Sequence, residues 1–171
     1  MIAAKKQLID HRQGAATTAI FFRAIPPAHA HAIRSGAPDS NGQPPERIIA
    51  MDNFPCRACL GQIQRGEPML LLSYRPFRHL QPYAETGPIF IHAEPCAPLE
   101  AAQVLPTMLD STDYIVRGYD AGDRIVYGTG AVTPTAKIVV RSQELLESPD
   151  IAYLHVRSAR NNCFQCRIDR A

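Results

Sequence analysis

The chain has no tryptophan, only three lysines (Lys5, Lys6 and Lys137) and no long apolar run. Apolar stretches such as residues 19–22 and 69–72 fall far short of the ~20 residues that span a bilayer. In the first dozen residues Gln7, Asp10, His11 and Arg12 interrupt any apolar core of a secretory signal. Both features lead us to expect a cytoplasmic protein with no membrane partner. Charge of one sign is also scarce, since 18 basic against 16 acidic residues leave only +2. That balance gives no footing for a nucleic-acid partner on charge alone. Catalytic signatures are missing too: there is no Gly-x-Ser-x-Gly elbow, no His-Glu-x-x-His pair and no phosphate-binding loop.

Proline, arginine and cysteine are what the sequence has in quantity. Twelve of its fifteen prolines lie between Pro26 and Pro98, and an internal proline costs a helix about 3 kcal/mol. That half of the chain therefore holds short strands and loops. Strands are expected over 19–25, 68–74, 88–93, 114–120, 123–127, 151–157 and 163–168, with a hairpin turn at Ala121-Gly122. Short helices are expected over 29–34 and 135–146, although Ile138-Val139-Val140 is β-favouring. Residues 35–45, rich in glycine, proline, asparagine and aspartate, read as a long mobile or flap-like loop. Consecutive strands with few helices indicate a single α+β domain over 19–171, preceded by a flexible extension over 1–18. Its sheet should be mainly antiparallel or mixed, with about seven short strands and two or three short helices.

Five cysteines are an odd number, so complete disulfide pairing is excluded, and the expected reducing compartment disfavours structural disulfides; the thiols are left to act as core residues, metal ligands or redox groups. Cys56-Arg57-Ala58-Cys59 sits between Pro55 and Gly61, and two thiolates at this spacing in a turn can grip one zinc ion. His92 and Cys96 are the best remaining donors. His92 would end a strand, and Glu94-Pro95 would start a short helix carrying Cys96. This order resembles treble-clef zinc modules, with a structural Cys₃His site as its product. The alternative is that Cys56 and Cys96 are small buried hydrophobes, with Cys59 and His92 incidental. A thioredoxin-like pair is the enzymatic rival, but Gly61, Gly66 and Pro68 leave no room for the helix it needs. In Cys163-Phe164-Gln165-Cys166, residues three apart on a strand face opposite sides. Cys163 is read as core and Cys166 as a weaker ligand candidate, in a Cys₄ alternative.

Fifteen arginines suit fixed contacts with carboxylate or phosphate. They are densest around His155-Val156-Arg157-Ser158-Ala159-Arg160-Asn161-Asn162. His155, Arg157, Arg160 and Asn161 are candidate ligands for a small anion, with Asp120 and Arg124 as neighbours; the alternative is a solvated turn. A binding or adaptor module, with a small anionic ligand or a protein as partner, is the leading functional expectation. The second is a small hydrolase or transferase acting on an anionic molecule near Tyr74, Glu85 and His155.

Several segments are also familiar in order: Phe54-Pro55-Cys56-Arg57, Gly66-Glu67-Pro68, Pro82-Tyr83, Gly87-Pro88-Ile89-Phe90, Val116-Arg117-Gly118-Tyr119-Asp120, and the ending from Ala152 through Cys163 and Arg167. Together they resemble a bacterial family of uncharacterised proteins, domain-of-unknown-function family 1203, from Phe21 to the end. The resemblance implies a small single-domain protein and brings no assigned activity. It also implies that Pro-Cys-Arg and Cys163 are shared within the family, whereas Cys59, His92 and Cys96 are not found in every member. Zinc would then be a stabilising feature of one branch.

Overall fold

A computed structural model describes residues 18–97 and 104–171; all but the last residue of the expected extension over 1–18 lies outside it. Ten strands and two helices follow in the order β1 (Ile20–Arg23), α1 (Pro27–Arg34), β2 (Glu46–Ile49), β3 (Phe54–Pro55), β4 (Gln62–Ile63), β5 (Pro68–Tyr74), β6 (Gly87–His92), β7 (Asp113–Tyr119), β8 (Ala131–Pro134), α2 (Ile138–Leu146), β9 (Tyr153–Ser158) and β10 (Phe164–Arg170). They form a five-stranded sheet ordered β1-β10-β9-β7-β8, a three-stranded sheet ordered β2-β5-β6, and a β3-β4 ribbon. Every strand pair is antiparallel, which agrees broadly with an α+β class. The expected single sheet of about seven strands is corrected to ten strands in three sheets among the described residues. No described helix is long and apolar enough to cross a membrane.

The five-stranded and three-stranded sheets pack on separate cores, and the ribbon joins the second. Val116, Leu154, Val156 and Ile168 of the larger sheet pack with Ile138, Leu145 and Leu146 of α2. The buried positions of α2 (Ile138, Ser142, Leu145, Leu146) recur at helical spacing. Burying that face, at about 1.5–3 kcal/mol per large aliphatic side chain, overrides the β-preference of Ile138-Val139-Val140. The smaller sheet packs Met69, Leu72, Ile89 and Ile91 against Ala30 and Ile33 of α1. Pro27 opens α1, where its missing N–H removes no helical bond, so the helix starts two residues before the expected 29–34. Pro88 is tolerated in β6 because that strand lies at a sheet edge.

Two expected elements are corrected. Residues 123–127 form no strand; Ile125 makes one bridge to Tyr119, and β8 is the strand that pairs with β7. Thr129 is the cause: its Oγ1 accepts the Gly118 N–H at 2.9 Å, closing the strand edge before the chain reaches β8. The loop over 35–45 is no free flap. Asp39 accepts backbone N–H groups of Asn41, Gln43 and Ser73 at 2.8–3.0 Å. Burial raises the Asp39 pKa, but these three donors outweigh it and hold the carboxyl below its ordinary value. The loop is thereby tied to the end of β5.

Candidate metal centre

Cys56 follows β3 and bridges to Phe90 of β6, which sets the ribbon against the edge of the smaller sheet. The chain then turns tightly: the Leu60 N–H donates to the Cys56 carbonyl and the Cys56 N–H to the Gly61 carbonyl, both at 2.9 Å. Leu60 sits in the left-handed region at φ 59°, a conformation usually left to glycine. Leu60 is buried in the larger sheet's core, so its packing offsets the strain. A Cβ added at Gly61 would meet Cys59 Sγ at an ordinary 3.5 Å. The turn therefore depends on the residue at 60 and not on the glycine at 61.

Cys59 projects from this turn, His92 ends β6, and Cys96 lies on the segment beyond it. One donor atom from each of Cys56, Cys59, His92 and Cys96 lies within 4.8 Å of all the others. Cys56 Sγ and Cys96 Sγ are 3.9 Å apart, and Cys59 Sγ is 3.7 Å from His92 Nδ1. A tetrahedron with ~2.3 Å metal–sulfur bonds has edges of roughly 3.8 Å. The expected helix at Glu94-Pro95 is not formed over the described part, 94–97. Cys96 is positioned instead by two arginine contacts. Arg34, at the end of α1, donates from Nε to the His92 carbonyl at 3.1 Å and from Nη2 to Cys96 Sγ at 3.2 Å. Arg47 of β2 pairs with Glu94 at 2.8 Å.

Further contacts shape the cluster. The His92 backbone N–H points at Cys56 Sγ, 3.4 Å away. Glu67 Oε2 lies 3.5 Å from His92 Nε2, leaving Nδ1 toward the thiols, in the arrangement by which carboxylates orient metal-binding imidazoles. The Cys56 thiol is pushed well down by its contacts with Cys59 and then Cys96, and the Cys59 thiol correspondingly up. Arg57, only 2% exposed, ties the turn to β10: it donates from Nε to the Phe164 carbonyl at 2.9 Å and from Nη1 to Pro55 at 2.7 Å. Burial lowers its pKa to about 10, so it remains charged at neutral pH.

Cys163 and Cys166 do not join this cluster, and their burial is the reverse of that expected. Cys166 is fully buried in the larger sheet's core, where burial pushes its thiol up. Cys163 is only half-buried in the turn before β10.

The candidate anion ligands are not brought into one site. Arg160 and Asn161 are exposed on the turn after β9. Asp120 and Arg124 lie at the other end of the sheet, because the β7–β9 register sets Tyr119 opposite Tyr153 and Tyr114 opposite Ser158. Arg157, 3% exposed, points into an ion-pair network. Its Nη2 lies 3.0 Å from Glu85 Oε2 and its Nη1 donates to the Asn162 carbonyl at 3.0 Å. Arg117 Nη1 lies 3.3 Å from both Glu85 oxygens, and Asn162 bridges Arg117 and Glu85 at 2.9 Å each. Burial raises the Glu85 pKa, but Arg157, Asn162 and Arg117 together hold it below its ordinary value. His155 shares the Arg157 face of β9 but is enclosed by the rings of Phe77, Tyr119, Tyr153 and Phe164, with centroids 4.6–5.3 Å away. It is 0% exposed, and neither ring nitrogen has a hydrogen-bond partner among the described residues. An unpaired buried polar group costs about 1–3 kcal/mol. Burial first, then Arg157, Arg167 and Arg117, push its pKa well below the ordinary value, so the ring is neutral.

Glu67, Arg34, Arg117 and Asn162 escape sequence reasoning. Only Arg117 carries a signal, a charge inside the apolar strand Tyr114-Ile115-Val116-Arg117-Gly118-Tyr119, which has to be paired if buried. No curated protein and no solved structure matches the chain. The family model described as "Protein of unknown function (DUF1203)" matches residues 53–170. That span holds all four clustered donors and the Glu85 network, but not α1 with its Arg34. The chain belongs to the DUF1203 family.

Proposed function

We propose that the protein is a metal-stabilised binding module in which Cys56, Cys59, His92 and Cys96 hold one zinc ion. The observation that carries this reading is the convergence of four donor atoms from three segments to within 4.8 Å. Three thiolates and an imidazole suit zinc, and four protein donors leave no open position for chemistry, so the role is structural. The ion would join the ribbon turn, β6 and the segment carrying Cys96. Three thiolates with a divalent ion leave one net negative charge, and Arg34 at 3.2 Å from Cys96 Sγ complements it. All five cysteines are free thiols, in keeping with a reducing cytoplasm. A single domain over 19–171 is supported by β1 pairing with β10, which closes the chain's two ends into one sheet.

Elemental analysis tests this on the full chain purified with neither added metal nor chelator. The parent should carry zinc at about one equivalent and Cys59→Ser should lose most of it. Metal-free parent protein, or equal zinc in Cys59→Ser, would contradict the reading.

A further inference from the structure

Away from the thiols, a cavity of about 520 Å³ opens beside the aromatic cage of His155, within the size range of small-molecule sites. Tyr74, Phe77, Phe164 and His155 line it, as do Arg23, Arg75, Arg78 and Arg167, with Asp169 as the one carboxylate. Asp169 accepts from Arg23 Nε at 2.9 Å and Arg167 Nε at 2.7 Å, so its charge is already engaged. Among the described residues Arg75 and Arg78 pair with no carboxylate, and the buried Arg75 Nε has no partner. The fully buried His155, also unpartnered, lines the same cavity. Native folds seldom leave such groups unsatisfied, and those they keep call for a water, ion or ligand.

The charge excess calls for an anion, because guanidinium groups bind carboxylate and phosphate through paired donors. The aromatic walls call for a flat apolar body, since rings pack edge-on or offset against one another. We propose that this cavity binds a small aromatic anion, a carboxylate or phosphate ester, with its charged end at Arg75 and Arg78 and its ring among Tyr74, Phe77 and Phe164. His155 supplies one donor and one acceptor to the polar substituents of that ring. The site differs from the exposed turn at Arg160 and Asn161, which faces another cavity. It rests on the reading of the chain as a binding module and not on the metal.

Calorimetric titration of the full chain tests it with phenyl phosphate, benzoate, inorganic phosphate and uncharged benzyl alcohol. At least one aromatic anion should bind one-to-one with Kd below about 1 mM, and inorganic phosphate and benzyl alcohol at least about tenfold more weakly. The arms separate carboxylate from phosphate as the preferred charged group. Arg75→Gln should weaken the preferred anion by roughly tenfold or more, and Arg160→Gln by less than about twofold. His155→Phe, which keeps the cage filled, should weaken 4-hydroxybenzoate, whose ring carries a polar substituent, more than benzoate. Kd values above about 1 mM for both aromatic anions would overturn the proposal. So would equal binding of benzyl alcohol or inorganic phosphate, or equal losses in Arg75→Gln and Arg160→Gln. Zinc content measured on the same samples separates the readings. Binding without zinc removes only the metal reading, and zinc without binding removes only this site.

Discussion

The thiol cluster and the Glu85 network are both assembled across long sequence separations, yet they differ in completeness. Around Glu85 opposite charges meet: one carboxylate faces two guanidiniums, and the Asn162 side chain bridges Arg117 to it. Around Cys56 four lone-pair donors face one another, and among the described residues a single guanidinium, Arg34, touches Cys96. The Glu85 network already joins cations to an anion, whereas a cluster of like donors calls for a cation at its centre. Side chains of low exposure occur in both, so burial alone does not tell a ligand site from a structural one. Complementarity of charge does.

The largest expected effect breaks the thiol side of this contrast. Cys59→Ser, or removal of zinc by a chelator, should lower stability by at least ~3 kcal/mol, a fall in Tm of roughly 10 °C. Arg117→Gln should leave zinc content unchanged while lowering Tm, and calorimetry with metal analysis reads both. Next is Glu85→Gln, which leaves the buried Arg157 without its carboxylate. A fully buried pair would lose about 3–5 kcal/mol; Glu85 is 34% exposed, so about 2–3 kcal/mol is expected in urea denaturation at pH 7. Because the folded pKa of Glu85 is depressed, its contribution is full above the unfolded value of about 4.3. It fades as pH falls through the lower folded value, so parent and variant should converge in acid.

Gly118→Ala comes third. The added Cβ would meet Thr129 Oγ1 at 3.1 Å and Ile151 Cγ2 at 3.3 Å, and overpacking of this kind costs about 1–3 kcal/mol, readable as a lower urea midpoint. The pH dependence of His155 sharpens the comparison from the uncomplemented side. Its folded pKa lies well below 6.5, so below that value the unfolded chain takes a proton that the folded one refuses. Stability should fall with decreasing pH at up to about 1.4 kcal/mol per unit from this residue. His155→Phe should remove that slope and be neutral or slightly stabilising at pH 7. The smallest effect is Arg160→Gln on the exposed turn, within about 0.5 kcal/mol.

The donors of the thiol cluster were legible because few chemistries use Cys-x-x-Cys in a turn, and because the prolines confined His92 and Cys96 to short elements nearby. Their supports were not. Arg34 reaches Cys96 only because α1 ends beside β6, and Glu67 meets His92 only through the β5–β6 packing. Strands β5, β6, β7, β9 and β10 followed from their β-branched and aromatic content. The short strands β2, β3 and β4 did not, since each takes its register from a partner and carries too few residues for a period. Residues 123–127 misled because Ile125, Val126 and Tyr127 have β-favouring side chains, while a single hydroxyl, that of Thr129, sets where the strand edge closes. The His155 site was half-legible. His155 stands out as a strand residue beside Arg157, but Arg23, Arg75, Arg78 and Arg167 reach its cavity from β1, the segment after β5 and β10, which no local pattern brings together.

Cobalt(II) titration of the metal-free full chain tests the central claim most directly. A tetrahedral thiolate site should give intense d–d absorption and sulfur-to-cobalt charge transfer, saturating at about one equivalent and displaced by zinc. Cys59→Ser should shift and weaken both. Featureless spectra typical of hydrated cobalt, or bands unchanged in Cys59→Ser, would contradict the account.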